Sequence, residues 1–384
     1  MSLKLALFAA PPSISLEGGV DGRFQAVRSS VFPCEAQPWF HAVIGPTGRS
    51  FRADVLPGRT ARSMARTLIL LSLPILGSPS LGLAAEELPA TSLIMQTEIP
   101  RGGDFLGFGF GSLWMMARSA DPALSGGPLV RVDAADNSVL AIELGSFGRY
   151  RAMAVGEGAV WVPATSRDLI LKIDPGANKL VQEIPAQMVA SEGSIGAGEG
   201  GVWVVTAAES SPTKDTVLTR YNSQTGAVEA NIPLPSGSAG IVVDFGSVWV
   251  TGSENGELYR IDPKSNAIVS TTRLHDKPRF IASGEGSIWV LNQGDGTVQR
   301  IDGRSGEVLA TIETIGRLDG GDIVCGGGYV WISVPGTPVA QIDPRTNTLI
   351  RRFTGSGPMG DAIRYGAGSL WVSGKAIHRI RPPD

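Results

Sequence analysis

Histidine and cysteine are the scarcest reactive residues of this chain, 3 and 2 respectively among 384. A zinc site needs His or Cys ligands at short spacing, and no such motif occurs. An excess of basic charge is missing too: 33 Lys and Arg stand against 36 Asp and Glu. That removes the electrostatic footprint of a nucleic-acid binder. Helix-length apolar runs are also lacking. The nearest is "MARTLILLSLPILGSPSLGLAA", Met64 to Ala85, whose apolar part falls short of the ~20 residues that cross a bilayer and carries Pro74 and Pro79.

That segment has the layout of a secretory signal peptide instead. Arg66 precedes an apolar run from Leu68 to Leu76, and small residues close it, with cleavage expected after Ala84 or Ala85. A signal peptide begins its chain. Residues 1–63 are therefore expected to be a non-native or disordered extension, 64–85 the signal, and 86–384 the working protein, periplasmic or secreted. Loss of residues 1–85 removes eight Lys or Arg and four Asp or Glu, taking the net charge from −3 to −7. Cys34 goes with them, and Cys325 alone cannot form an intrachain disulfide.

What the chain has in plenty is glycine, 50 residues, and a repeat. Aligned on tryptophan, it reads "GSLWMMA" at Trp114, "GAVWVPA" at Trp161, "GGVWVVT" at Trp203 and "GSVWVTG" at Trp249. "GSIWVLN" at Trp289, "GYVWISV" at Trp331 and "GSLWVSG" at Trp371 follow. Successive spacings of 47, 42, 46, 40, 42 and 40 residues fall close to those of four-stranded propeller blades.

A second signature follows six of the tryptophans, as in "LKIDPGANKLV", "LYRIDPKSNAIV" and "VQRIDGRSGEVL". Asp133, Asp174, Asn222, Asp262, Asp302 and Asp343 can each accept backbone hydrogen bonds at a turn start. Four residues later stand Asn137, Asn178, Gly226, Asn266, Gly306 and Asn347, types that tolerate positive φ. Each unit thus reads as strand A ("RFIAS"), a Gly-x-Gly turn, strand B ("SIWVL"), a polar loop, strand C ("TVQRI"), an Asp hairpin and strand D ("EVLATI"). The fold expected is all-β: a seven-bladed β-propeller of four-stranded antiparallel blades, with the indoles filling the wedges between blades. The last unit stops at "AIHRIRPPD" without a strand D. "TSLIMQTEIP" (Thr91 to Pro100) parallels the strand D "NKLVQEIP", so an N-terminal strand is expected to complete the last blade and close the ring.

The A–B and C–D turns share one face of such a ring, and the B–C and D–A loops share the other. The first pair repeats almost unchanged. The second varies: from Trp to the hairpin residue takes 12 or 13 residues in four units but 19 in the first and third. The extra length lies in "ARSADPALSGGP" (Ala117 to Pro128) and "TAAESSPTKD" (Thr206 to Asp215), and variable loops on a rigid scaffold often carry binding. Ten residues before the tryptophans, at the start of strand A, stand Asp104, Arg151, Arg279 and Asp361. Asp361, Asp104 and Arg151 become neighbours once the ring closes, and such a carboxylate and guanidinium cluster can bind a polar ligand. His275, Asp276 and Asp322 lie in the same class of loop. "GFGFGS" (Gly107 to Ser112) has no following helix and is read as an A–B turn, not a phosphate loop.

From Thr91 onward the paired motifs "GEGSIWV" and "RIDPKSN" resemble the bacterial YVTN-type and streptogramin (virginiamycin B) lyase-like β-propeller superfamily. The lyases of that superfamily open a cyclic lactone by elimination, using a strand A histidine ("PHGI"), a Glu after the strand B tryptophan ("LWFTE"), and magnesium. Here the counterpart is "PRFI", with Arg279 in place of the histidine. Three residues after the tryptophans stand Ala117, Ala164, Thr206, Gly252, Asn292, Val334 and Gly374, none of them Glu. The reading preferred is a non-catalytic propeller, without a cofactor, that binds a protein or a small polar ligand on its variable-loop face. The alternative that the resemblance implies is a magnesium-dependent C–O lyase with a rearranged site, His275 as base and Asp276 or Asp322 as metal ligands.

Overall fold

The computed structural model describes residues 84–117, 127–145, 152–187, 193–207, 216–355 and 359–384, together with three strands near the start. The chain divides into Met1–Ser78 and Pro79–Asp384. In the first unit, Lys4–Leu7, Ile14–Gly18 and Phe24–Val27 form a small antiparallel sheet. The signal segment up to residue 83, and residues 118–126 and 208–215 of the two long loops, lie outside the described residues.

The second unit is built of antiparallel sheets, named here by their tryptophans. In the Trp289 sheet the strands run Pro278–Gly284, Ser287–Asn292, Thr297–Asp302 and Val308–Glu313, each hydrogen-bonded to the next. The Trp161, Trp203 and Trp249 sheets repeat this order. The strand bearing the tryptophan is buried on both faces, which is why "SIWVL" and "SVWV" read as continuous apolar runs without alternation. The outermost strands are the exposed ones, with Val181, Val228 and Val269 more than half open to solvent.

Local chemistry sets each turn. Gly284 pairs with Ser287 across a two-residue turn whose residues, Glu285 and Gly286, have φ of 49° and 75°. That is a type I′ geometry, matched to the twist of the flanking strands. The same pairing of positive φ values recurs at Phe110 and Gly111, at Glu157 and Gly158, and at Ala367 and Gly368. Every repeat tryptophan donates its indole N–H to the carbonyl five residues before it, from Trp114 to Gly109 at 3.1 Å through Trp371 to Gly366 at 3.1 Å. In the hairpins, Asp302 Oδ1 accepts from the N–H groups of Arg304 and Ser305 at 2.8 and 2.7 Å, the Asx turn that the sequence pattern predicts.

The core lies between sheets. One apolar cluster joins Trp289, Leu291 and Val298 to Ile323, Val330 and Ile332 of the following sheet, and another joins Trp371 and Ile377 to Leu106, Leu113 and Met115 of the first. Truncating one of these indoles to Ala costs about 3–5 kcal/mol.

A basic side chain from strand C adds a directional link. Arg131, Lys172, Arg220, Arg260, Arg300 and Arg379 lie over the tryptophans of their own sheets, 4.8 to 5.4 Å from the ring centroids. Their tips donate to the hairpin of the next sheet: Arg131 to Pro175 O and Asn178 Oδ1, Arg300 to Pro344 O and Asn347 Oδ1. The Trp331 sheet departs from this pattern, with Gln341 donating to Pro383 O at 3.3 Å in the C-terminal tail.

The chain ends meet in the sheets. Met95–Ile99 pairs antiparallel with Ile377–Ile380, so the Trp371 sheet takes its outer strand from the N-terminal side. Gly374 pairs with both Gly103 and Met359, bringing together the starts of the inner strands of the first and last sheets. One strand has no counterpart in the sequence expectation: Glu86–Pro89 adds parallel to the outer edge of Thr348–Thr354. Charge holds it there, Glu86 with Arg351 at 3.0 Å and Glu87 with Arg352 at 2.9 Å.

Candidate binding surface

The two faces of the sheet stack differ in how their polar groups are used. On the face of tight turns, the strand C cations reach the neighbouring hairpins, and Glu carboxylates do the same between A–B turns. Glu157 accepts from Gly200 N at 3.0 Å and Glu285 from Gly328 N at 3.1 Å. Both glutamates stand at positive φ, 51° and 49°, a conformation that non-glycine residues seldom adopt.

The opposite face carries most of the residues singled out from sequence. His275 and Asp276 are exposed where the chain enters Pro278–Gly284. His275 Nδ1 lies 2.8 Å from Asp295 Oδ2, in the short loop after Asn292. Burial pushes the Asp295 carboxyl up, but hydrogen bonds from His275 and Thr297 outweigh it and hold the group below its ordinary value. Behind this pair runs a buried polar chain. Thr297 Oγ1 donates to Asp295 Oδ1 at 2.9 Å, and Asn292 Nδ2 donates to Thr297 Oγ1 at 2.9 Å and to Gln299 Oε1 at 3.1 Å. Gln299 Oε1 also accepts from His275 N at 2.8 Å. Asn292 Oδ1 is buried without a hydrogen-bond partner among the described residues.

Asp276 sits against this loop. A Cβ on Gly294 would lie 2.1 Å from Asp276 Oδ2, so only glycine permits the approach. The guanidinium of Arg279 is 5.7 Å from the Phe280 ring, and its carbonyl accepts from Thr251 Oγ1 at 2.9 Å. Asp104 caps its own strand start, with Oδ1 accepting from Phe105 N at 2.9 Å where Phe105 has φ of 55°. Asp361 lies in Met359–Gly366, beside the strand of Asp104 through the shared partner Gly374; its side chain and all of Arg151 lie outside the described residues.

Asp322 has a different part from the one sequence suggested. It is buried, and its carboxylate is in contact with Arg364 Nη1 and accepts from Ile363 N at 3.0 Å, tying together the inner strands of two adjacent sheets. Burial pushes its carboxyl up, opposed by Arg364 and the two backbone N–H groups. A carboxylate held against a guanidinium does not fit a magnesium ligand, and among the described residues no group of three or more His, Cys, Asp or Glu is placed to hold a metal. The residues present thus do not fit the magnesium that the lyase resemblance implies. Cys325, half-buried, lies against Gly284. Its thiol is pushed up by burial and by Glu285 and Asp244, as for a small core hydrophobe.

Sequence reading missed Asp295, Arg364 and the Asn292–Thr297–Gln299 chain. One signal was available: Gln299 is polar at a strand C position where Val130, Leu171 and Ala340 stand in other sheets.

Comparison with solved structures places this fold among the β-propellers. The WD40 β-propeller domain of Doa1 is similar with a TM-score of 0.55 and 10% identity, covering 77% of this chain and 98% of that one. BamB from Moraxella catarrhalis gives 0.51 and 15%, covering 72% and 82%. The β-propeller domain of Cps50 (Swd1) from Myceliophteria thermophila gives 0.60 and 12%, covering 75% and 99%. At these identities the likeness is one of fold. No protein-family model and no curated protein matches the chain.

Proposed function

We propose that residues 86–384 form an exported, non-catalytic, seven-bladed β-propeller, closed by its N-terminal strand, that binds a protein or small polar ligand on the face where the inner strands begin. Closure is supported by Phe108, whose ring lies where a Cβ on Gly366 would fall 2.2 Å away, and by the reach of Arg379 to the first hairpin. Export to the periplasm or beyond rests on the layout of residues 64–85, and residues 1–63 are read as an extension outside the working protein. Membership of the YVTN-type superfamily rests on the repeated Trp and Asp-hairpin motifs.

One observation carries the choice of face. On the tight-turn face the strand C cations and the Glu157 and Glu285 carboxylates are tied to neighbouring sheets, whereas the other face exposes His275 and Asp276 beside half-buried Asp295 over a buried polar support. A preorganised polar cluster of this kind suits recognition. The test is comparative capture from periplasmic extract or a panel of polar metabolites. The variant His275→Ala/Asp276→Ala/Arg279→Ala should lose the bound species and Arg345→Ala, on the tight-turn face, should keep it. Equal retention by both would reject the assignment of the face.

The lyase reading keeps one point in its favour. The Asp295 contact orients the His275 ring through Nδ1 and leaves the other nitrogen available as a base, which elimination needs. Chromatography of a streptogramin B lactone incubated with the protein, with and without magnesium, decides it. Ring opening that His275→Gln abolishes would establish a lyase, and no turnover beside an active control lyase would remove that substrate.

A further inference from the structure

His378 lies in Ile377–Ile380, the strand that receives Met95–Ile99, and is fully buried, with neither ring nitrogen hydrogen-bonded among the described residues. Buried polar side chains nearly always have a partner, and the repeat supplies its own controls. The equivalent position, one residue before the strand C cation, holds apolar Val130 and Leu171 in two sheets and polar residues in three others. Those three are satisfied. Thr219 bonds to Thr206 and Asn231, Tyr259 donates to Glu257, and Gln299 accepts from His275 N and Asn292. His378 is polar and has no hydrogen-bond partner among the described residues.

Its surroundings are apolar. Val372 lies directly opposite and Ile380 shares its face, and both belong to the cluster of Trp331, Val339, Ile363 and Leu370. The nearby carboxylate is Glu98, directly across on the N-terminal strand, with Oε2 3.8 Å from Nδ1 and the side chain 59% exposed. Among the described residues, charged groups on the other elements packed here are engaged elsewhere: Arg351 with Glu86, Arg352 with Glu87, Asp343 with Arg345, Asp322 with Arg364. Arg379 is turned over Trp371, and Lys375 and Arg381 are exposed.

We propose that His378 is a proton-operated latch on the N-terminal strand: protonation of its ring releases Met95–Ile99 from the edge of the last sheet. A charged imidazole inside an apolar layer is costly, and opening this outer strand gives the ring water. Burial holds the imidazole below its ordinary value, with Glu98 pulling part of the way back. The open form then takes the proton more readily than the closed one. Closure is therefore complete above the ordinary imidazole value of about 6.5 and weakens as pH falls below it. The latch is independent of which ligand the propeller holds.

Hydrogen exchange read by mass spectrometry on the full chain, from pH 7.5 to 5.5 and corrected for chemical exchange, tests it. Peptides spanning Met95–Ile99 and Ile377–Ile380 should lose protection by up to about tenfold per pH unit below ~6.5, while Ser287–Asn292 does not. His378→Leu, which installs the residue found at Leu171, should keep its protection throughout. Glu98→Gln, at an exposed position, should deepen the acid loss because the compensating carboxylate is gone. Protection of Met95–Ile99 that is flat with pH overturns the latch; so does the same acid loss in His378→Leu, or a Glu98→Gln profile identical to that of the unmodified chain.

Discussion

Arg379 lies 4.8 Å from the centroid of Trp371 and donates to Asn137 Oδ1 at 2.8 Å, linking the last sheet to the hairpin of the first. It also donates to Ala134 O at 2.8 Å. The same stacked and donating cation recurs between the internal sheets except at the Trp331 sheet, where Gln341 stands instead, so the join between the chain's two ends uses the bonding of most other joins.

Arg379→Met keeps an apolar stem near the indole and removes both hydrogen bonds to the first hairpin together with the one from Nε to Ser369 Oγ at 3.0 Å. The loss expected is about 1.5–3 kcal/mol, since bonds to a charged donor are the stronger kind. Arg345→Met, whose side chain is 73% exposed beside Asp343, should change stability by less than about 1 kcal/mol. Urea denaturation of both variants checks this, and equal midpoints would contradict the role given to Arg379.

Asp322→Ala should cost about 3–5 kcal/mol, because it leaves the Arg364 guanidinium without its buried counter-charge. Adding Arg364→Leu should recover most of that loss. A double variant no more stable than Asp322→Ala would show that the pair holds the inner strands by something other than mutual charge compensation.

Ala367 has φ of 49° in its A–B turn, and no hydrogen bond from its side chain offsets the strain. Ala367→Gly should therefore stabilise by about 0.5–1 kcal/mol. Glu285 has the same φ of 49° but accepts from Gly328 N, so Glu285→Gly should gain less or lose. Thermal unfolding of the two variants orders them.

Hydrogen bonds from the Ser305 and Arg304 backbones hold the Asp302 carboxyl below its ordinary value. Its folded-state value lies below its unfolded one, so its contribution is present above about pH 4 and is lost as pH falls further. Asp302→Asn should fold normally, because Asn222 makes the same turn, accepting from Gln224 N and Thr225 N. Its stability should fall less steeply with acid than that of the parent chain, which denaturation midpoints between pH 5 and 3 would reveal.

Much of the fold was legible because its determinants are local. A positive-φ pair needs glycine in its second place, an Asx turn needs Asp or Asn, and a strand buried on both faces reads as an unbroken apolar run. The strand C cations were visible in "LYRID" and "VQRID" but carried no legible role, since their partners stand 44 to 47 residues away in the next sheet. The added strand Glu86–Pro89 gave no pattern, being four residues held by pairing and two ion pairs.

At the candidate surface the division is sharper. His275 and Asp276 were found from composition, because scarce or charged residues stand out in loops. The partner of His275, the engagement of Asp322 by Arg364 and the isolation of His378 were not. Sequence alone determined the repeat, its turns and which indoles are core, because each depends on residues a few positions apart along one strand or turn. Tertiary structure decided which charges are neutralised and which remain exposed, because that depends on how neighbouring sheets bring together residues tens to hundreds of positions apart.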